Sequence, residues 1–498
     1  MGIIQRQTIQ STVFTYAGTA LGFVTTTLLI PRVMNLDQVG LINLLPSWMI
    51  LLAYVANLGI NGAANRYFTY FRDYDRQHNG FLLVSIGVSL IGFLLAMGLL
   101  IAFKPIILET NQERSVLFAD NYYLLIPLTF SLLFFNLFDT YAKLLYDTVT
   151  GTLLQQVVQR VLTLAVVGAY ALGWLTFSQF LPVWLLTWLL PAGLMADKIG
   201  VDQQFHLSPG FVRITPDMRR QLASYSSLTL LTGLSSQVIV QIDKIMVNQS
   251  LGLAAVAIYA TCANFGIVIA IPATALYKVS GVIIADSWKN NDLANISQIY
   301  RKSCLNQLLI GSLVFVGIAA NLPNLFRILP PAYESGYFVI LWLGAGKLID
   351  MATGVNGQIL NTSRYYAYDT LFFAILVVST IAFTYYGVKL AGLNGAAVAA
   401  ALATAIFNAG RTWFVWYKFG LQPFGWQNAA ILVVAGLTWG LAAAVPYPAT
   451  SPIGLAADIA VRSVGITALF VGLVYTLKLS PDANQVLLSL ARRFNRFF

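Results

Sequence analysis

The residues of this 498-residue chain that could do chemistry are polar groups set inside long apolar runs. Gln237, Gln241 and Lys244 recur at i, i+4 and i+7, one face of a helix, with Asp243 beside them. Asn57, Asn61 and Asn65 stand four apart and lead into Arg66. Gln156 and Arg160 are also four apart, Lys347 and Asp350 are three apart, and Arg32 and Asp139 mark the ends of two other apolar runs. A charge at the centre of a bilayer costs roughly 2.5–3.5 kcal/mol on insertion scales, so such groups face a cavity or a partner. Cations of this kind suit an anionic ligand, amides suit a hydroxyl-rich one, and the carboxylates suit a coupling cation. Each group also has a plainer reading. Lys244 could snorkel to the outer surface, and the Asn stripe could bond between helices. Asp139 could pair with Arg160, and Lys347 could neutralise Asp350.

Catalysis has no comparable support. Gly344-Ala345-Gly346-Lys347 resembles a phosphate loop only briefly: Leu341 stands where the first Gly is needed and Leu348 where Ser or Thr is needed. His78 and His206 are two isolated loop residues, and no nucleophile–base set or metal cluster is evident. Cys262 and Cys304 fall in apolar stretches and read as packing residues.

These groups must be positioned by membrane-spanning helices. The chain is 58% hydrophobic and only 10% charged, with a mean hydropathy of +0.73. Soluble domains carry about 25% charged residues, so a globule of this composition could not cover its own surface. A soluble enzyme, a disordered protein and a secreted disulfide scaffold are excluded. Fourteen apolar segments reach the roughly 20 residues a span needs. They cover 8–31, 38–60, 81–103, 119–141, 152–173, 176–196, 221–245, 251–275, 303–323, 336–359, 367–388, 393–415, 427–446 and 456–477. The expected fold is an all-α polytopic membrane protein whose first apolar segment stays as a span rather than a cleaved signal.

With a cytoplasmic amino terminus, the inside segments hold twenty Lys and Arg and the outside loops six, with Arg160, Lys244 and Lys347 set aside as intramembrane. Both termini are therefore expected in the cytoplasm. The net charge of +10 follows from those basic loops and calls for anionic lipid rather than nucleic acid. The loop after the sixth span suggests a division into a six-helix lobe over 1–196, a cytoplasmic linker over 197–220 and a second six-helix lobe over 221–415. Two further helices and a basic tail follow over 416–498. Gly18-x-x-x-Gly22 and the small-residue run 395–401 are suited to close helix packing. A faint internal echo supports two related halves. Arg32 precedes Gly40-Leu41 by eight residues, as Lys244 precedes Gly252-Leu253, and 56–60 (ANLGI) resembles 263–267 (ANFGI).

Several stretches in order resemble the oligosaccharide flippase (O-antigen translocase) family, in the superfamily that also holds lipid II flippases and multidrug extrusion proteins. They are Arg32 to Gly40, Leu58-Gly59-Ile60 to Arg66, and Asp243-Lys244 followed by Tyr259. Asn291-Asp292-Leu293 before Arg301, Ile359 to Arg364, and Gly392-Leu393-Asn394-Gly395-Ala396-Ala397 continue the series. The resemblance implies a two-lobed bundle in the bacterial cytoplasmic (inner) membrane that moves an undecaprenyl-pyrophosphate-linked oligosaccharide to the outer leaflet by alternating access. It implies a transporter and not an enzyme. Arg32, Arg66, Arg160, Lys244 and Lys347 would meet the pyrophosphate, and Asn57, Asn61, Gln237 and Gln241 the sugar. Asp139, Asp243 and Asp350 are candidate sites for coupling to Na+, H+ or the membrane potential, with no bound cofactor. Membrane lipids and a polysaccharide polymerase or ligase are the implied partners. The rivals are a lipid II flippase, a cation-coupled multidrug exporter and, from another class, a membrane glycosyltransferase or polymerase.

Overall fold

A backbone in hydrocarbon must satisfy its own hydrogen bonds, which for a single segment leaves only the helix. The computed structural model describes residues 3–109, 115–207, 215–446 and 451–494, and among these the regular structure is helical with no strand. Arg114, Arg213 and Arg496, counted above in the charge balance, lie outside the described residues.

The first helix, α1 (Ile3–Phe23), widens into a π-helical turn over Val24–Leu29 and ends as α2 (Ile30–Val33). Next come α3 (Leu36–Ala56), α4 (Ile60–Phe71), α5 (Phe81–Ala102), α6 (Lys104–Glu109), α7 (Val116–Asp120) and α8 (Leu125–Leu144). A second π-helical turn, Leu154–Val158, joins α9 (Thr150–Leu153) to α10 (Gln159–Ala171). The order continues with α11 (Phe177–Val201), α12 (Pro216–Leu251), α13 (Leu253–Lys289), α14 (Leu293–Ile328), α15 (Tyr337–Ala352), α16 (Asn356–Thr362) and α17 (Tyr366–Phe419). Finally α18 (Trp426–Ala444), α19 (Pro452–Thr476) and the amphipathic α20 (Pro481–Phe494) close the chain.

Twelve helices among the described residues are long and apolar enough to cross a membrane, and thirteen if α15 and α16, bent by 52° at their junction, form one broken span. The sequence-expected span 336–359 is that bent pair. The 54-residue α17 contains the two expected spans 367–388 and 393–415, separated at Ala391 and Gly392. Gly392 takes φ +56, and the arms fold back so tightly that a Cβ on Gly395 would lie 1.8 Å from the Gly387 carbonyl oxygen. The small-residue run thus performs the close packing expected of it. The expected span 38–60 is α3, ending four residues early. The helix stops at Ala56, Leu58 and Gly59 adopt φ +48 and +76, and α4 extends the chain helically into the stretch assigned to loop.

The packing divides the chain into two compact units, Met1–Ala260 and Thr261–Phe498. The division falls within α13. In the first unit α12 lies against the break between α3 and α4. The Gly59 carbonyl accepts the Thr229 hydroxyl at 3.0 Å, and a Cβ on Gly59 would sit 1.9 Å from the Ser226 carbonyl oxygen. Two members of the internal echo also touch, since a Cβ on Gly40 would lie 2.1 Å from the Leu253 carbonyl oxygen. The likeness stops at the next motif, because α13 runs unbroken through Phe265-Gly266 where span two breaks.

The second unit is built on α14. Leu308 and Val316 of this helix pack with Ile431 and Val434 of α18 and Phe470 and Val474 of α19, so the last two spans share its core. Buried Arg462 of α19 donates to the Ala442 carbonyl at the end of α18 at 2.6 Å and pairs with Asp458 at 3.3 Å. Arg411 and Asp369 form a second buried ion pair, across the α17 hairpin.

Candidate functional site

The first unit contains an open-sided cavity of about 450 Å³. Its walls come from both π-helical turns, which contribute Thr25, Thr26, Gln155 and Gln156, and from α3, α8, α10, α11 and α12. Wide turns of this kind are rare and recur at functional sites, because the extra residue re-aims side chains and loosens the backbone bonding. Gly18 and Gly22 let α1 close on this wall. A Cβ at Gly18 would strike the Gln156 carbonyl oxygen at 2.0 Å, and one at Gly22 would strike the Arg160 guanidinium at 1.6 Å.

Arg160 lines this cavity and is half-buried. It donates to Gln156 Oε1 at 3.2 Å, and no carboxylate among the described residues is within ion-pair distance of it. The lining contains no Asp or Glu but six amides: Asn43, Asn136, Gln155, Gln156, Gln159 and Gln237. Gln237 also donates to the Tyr54 hydroxyl at 3.4 Å. Trp184 and Trp188 stand edge to face, with ring centroids 6.2 Å apart, and form the aromatic part of the wall.

Tyr54 and Asn136 are shared with a second cavity of about 310 Å³. Asn57, Asn61, Asn65 and Asp139 line it, so the amide stripe faces a cavity despite the break at Leu58 and Gly59. Asn57 Oδ1 accepts the Asn61 backbone N–H across that break at 3.3 Å, while its buried Nδ2 has no partner. Asp139 pairs with Lys143 one turn on, at 2.5 Å, and its other oxygen is buried without a hydrogen-bond donor. The pairing of Asp139 with Arg160 considered from sequence is therefore not formed. A lysine at i+4 reaches the carboxylate from its own helix, as helical geometry favours.

The remaining sequence-derived residues lie elsewhere. Arg66 is exposed and stacks over the Tyr225 ring at 4.6 Å. Arg32 is exposed at the end of α2, and Gln241 is buried in α12. Lys244 is half-buried with no carboxylate at ion-pair distance among the described residues, and Asp243 accepts from the Tyr259 hydroxyl at 3.2 Å.

In the second unit Lys347 is exposed and does not pair with Asp350. Asp350 instead accepts from Asn408 at 3.0 Å, and Asn408 in turn accepts from Thr353 at 2.9 Å and Asn356 at 3.3 Å. Of the five cations, the structure brings Arg160 to a described cavity, joined there by Gln237. Asn57, Asn61 and Asp139 meet in the adjoining one.

Sequence reasoning missed Asn43, Asn136, Gln155, Gln159 and the two tryptophans. Gln155 and Gln159 carried a usable signal, a second polar pair at i, i+4 beside Gln156 and Arg160. Nothing in the spacing of Trp184 and Trp188 separates a cavity wall from an ordinary core pair. No group of His, Cys, Asp and Glu among the described residues is arranged to hold a metal ion.

No protein-family model matches the sequence, and no curated protein sequence matches it. Solved structures do. The inward-closed lipid II flippase MurJ superposes with a TM-score of 0.71 at 12% identity, covering 95% of this chain and all of that one. An inward-facing MATE-family multidrug transporter of the MOP superfamily gives 0.64 at 15% identity, covering 84% of this chain and 98% of that one. The Vibrio cholerae MATE transporter VcmN in its bent form gives 0.52 at 15% identity, covering 84% and 98%. The chain therefore has the polytopic helical fold of these membrane transporters.

Proposed function

We propose that this protein is a flippase that moves an undecaprenyl-pyrophosphate-linked oligosaccharide from the cytoplasmic to the outer leaflet by alternating access, for surface polysaccharide assembly. The observation that carries the reading is the 450 Å³ cavity, amide-rich and free of carboxylates, with the unpaired Arg160 inside a bundle of apolar helices. Amides and a cation in that setting suit a hydroxylated, negatively charged headgroup, whose lipid tail need never leave the bilayer. An exporter of organic cations would instead need an acid in its cavity. The transporter fold supports transport over glycosyl transfer, and the protein acts as a transporter rather than an enzyme.

Arg32, Arg66, Lys244 and Lys347 are proposed to meet the diphosphate along its path, with Asn57, Asn61, Gln237 and Gln241 serving the sugars. Asp139, which lines the second cavity, is the proposed site for coupling to Na+ or H+, with Asp243 and Asp350 as the others. A bacterial inner-membrane location with both termini cytoplasmic, and a polymerase or ligase receiving the product, complete the proposal.

The test is a purified-protein vesicle assay with labelled lipid-linked oligosaccharide. Movement between leaflets without a change in substrate mass is expected, whereas a mass change would identify an enzyme and remove this reading. At matched protein levels, single Ala replacements at Lys244, Arg66 and Lys347 should each lower transport. Unchanged rates in all three would remove them as substrate ligands. Lipid II is the second reading, favoured by the coverage of 95% of the chain by the lipid II flippase structure against 84% by the MATE transporter.

A further inference from the structure

The last helix leaves the second unit from a fixed point. Residues 477–480 alone separate α19 from α20, and of these Leu479 and Ser480 are fully buried. Leu479 lies in the core shared by α14, α18 and α19. Ser480 Oγ donates to Asn306 Oδ1 of α14 at 3.0 Å and accepts the Ala483 N–H at 3.2 Å. Asp482, in the first turn of α20, accepts from Asn306 at 3.1 Å and pairs with Lys302 of α14 at 3.3 Å. A helix bolted to its neighbour directly after a membrane span begins at the membrane surface. The end of α17 marks the same depth. Arg301, beside Lys302, donates to the Gln422 carbonyl just past α17 at 3.0 Å. The last turns of α17 expose Trp413, Trp416 and Tyr417, and such rings gather at the level of the headgroups. This rim is also basic: exposed Lys418 and Arg364 lie 5.7 and 5.0 Å from the Tyr365 ring centroid.

Helical register places Val486, Leu487, Leu490 and Phe494 on one face of α20 and Gln485, Ser489 and Arg492 on the other. Val486 is 57% exposed, so the protein does not cover the apolar face. Beyond Asp482 the sequence holds Arg492, Arg493 and Arg496 and no acid. We infer that α20 is a docking surface for anionic phospholipid. It lies in the plane of the adjoining leaflet, with its apolar face in the acyl boundary and its arginines on the headgroups. The Asp482 anchor sets where it leaves the bundle, and the basic rim beside α17 favours the same negative surface. This contact does not depend on which substrate the protein carries.

The experiment uses full-length protein, one copy per nanodisc, with a fluorophore on Leu487→Cys or on Gln485→Cys. Cys262 and Cys304 are buried and leave the introduced thiol as the reactive one. Discs of phosphatidylcholine with phosphatidylglycerol are compared with discs of phosphatidylcholine alone, and thermal melts confirm that each variant is folded. In the anionic discs a lipid carrying a doxyl group high on its acyl chain should quench the Leu487 probe at least about threefold more than the Gln485 probe. Aqueous iodide should show the reverse order. Quenching by the doxyl lipid at Leu487 should fall about twofold or more in neutral discs, and equally in anionic discs when Arg492→Gln and Arg493→Gln are combined. Equal iodide quenching at the two positions in anionic discs would place α20 in water and overturn the proposal. Shielding of the Leu487 probe from both quenchers would mean that the apolar face packs on protein, which also overturns it. Lipid quenching that ignores both lipid charge and the two arginines would remove the anionic phospholipid as the partner.

Discussion

Single side chains here are governed by what meets them at low dielectric. Arg411 and Asp369 are both buried and pair across the α17 hairpin, with the guanidinium stacked over the Phe407 ring at 4.1 Å. Removing either partner strands the other charge, which typically costs about 3–5 kcal/mol, whereas replacing both with apolar groups costs far less. Arg411→Ala should therefore lower the melting temperature in detergent sharply, and Arg411→Met with Asp369→Leu should recover most of the loss in a double-mutant cycle. Asp147 lies in the turn between α8 and α9. Burial raises the affinity of its carboxylate for a proton, but hydrogen bonds from Thr150 and Val149 outweigh this and leave its pKa below the ordinary carboxylate value. A pKa lowered by folding gives stability that is present above the unfolded value of about 3.9 and is lost as pH falls through the lower folded value. Asp147→Asn should cost about 1 kcal/mol at pH 7, and melts of the two proteins should converge as pH drops below about 4. The sequence showed which residues were costly to bury but not what answered them. Lys143 took Asp139 at the i, i+4 spacing the sequence displays, whereas Asn408 took Asp350 from another helix, where a count along the chain shows nothing.

At the level of helices, hydropathy and length made the spans legible, while their interruptions were hidden. The break at Leu58 and Gly59 lies within an apolar run, and a leucine at positive φ leaves no mark in composition. Gly59 combines φ +76 with a carbonyl oxygen 1.9 Å from where a Cβ would go, so Gly59→Ala adds backbone strain to a collision. A cost of about 1–3 kcal/mol from the strain alone is expected, read as a lower melting temperature. Gly395→Val should act similarly by prying apart the α17 arms, with loss of folded protein in size-exclusion profiles as the measure. The two π-helical turns were equally unreadable, since Val24–Leu29 and Leu154–Val158 look like ordinary helix in sequence. They frame the cavity, and this is why only part of its lining could be named in advance.

For the whole chain, the fold class followed from a physical shortage: with 10% charged residues, lipid must cover most of the surface. The boundary between the compact units, at Ala260 and Thr261, falls inside a continuous helix, where composition carries no signal. Topology can be tested without knowing the substrate. Cys262 and Cys304 are both fully buried, so folded protein should resist membrane-permeant maleimides until denatured. Against that silent background, a cysteine placed at Lys104 should label from outside intact cells and one at Lys198 only after permeabilisation. The reverse pattern would invert the orientation drawn from the basic loops.

A π-helical turn is an α-helix carrying one surplus residue, and each residue of an α-helix turns its successors by about 100°. Along the first helix, Gly18 and Gly22 must abut Gln156 and Arg160 while Ile30 and Pro31 stay buried beyond the wide turn. Excising one residue between Val24 and Leu29 would rewind that helix to regular pitch and swivel its amino-terminal half a quarter-turn or more about its own axis. The two contact faces would then be out of phase, and no side-chain substitution could bring them back into step.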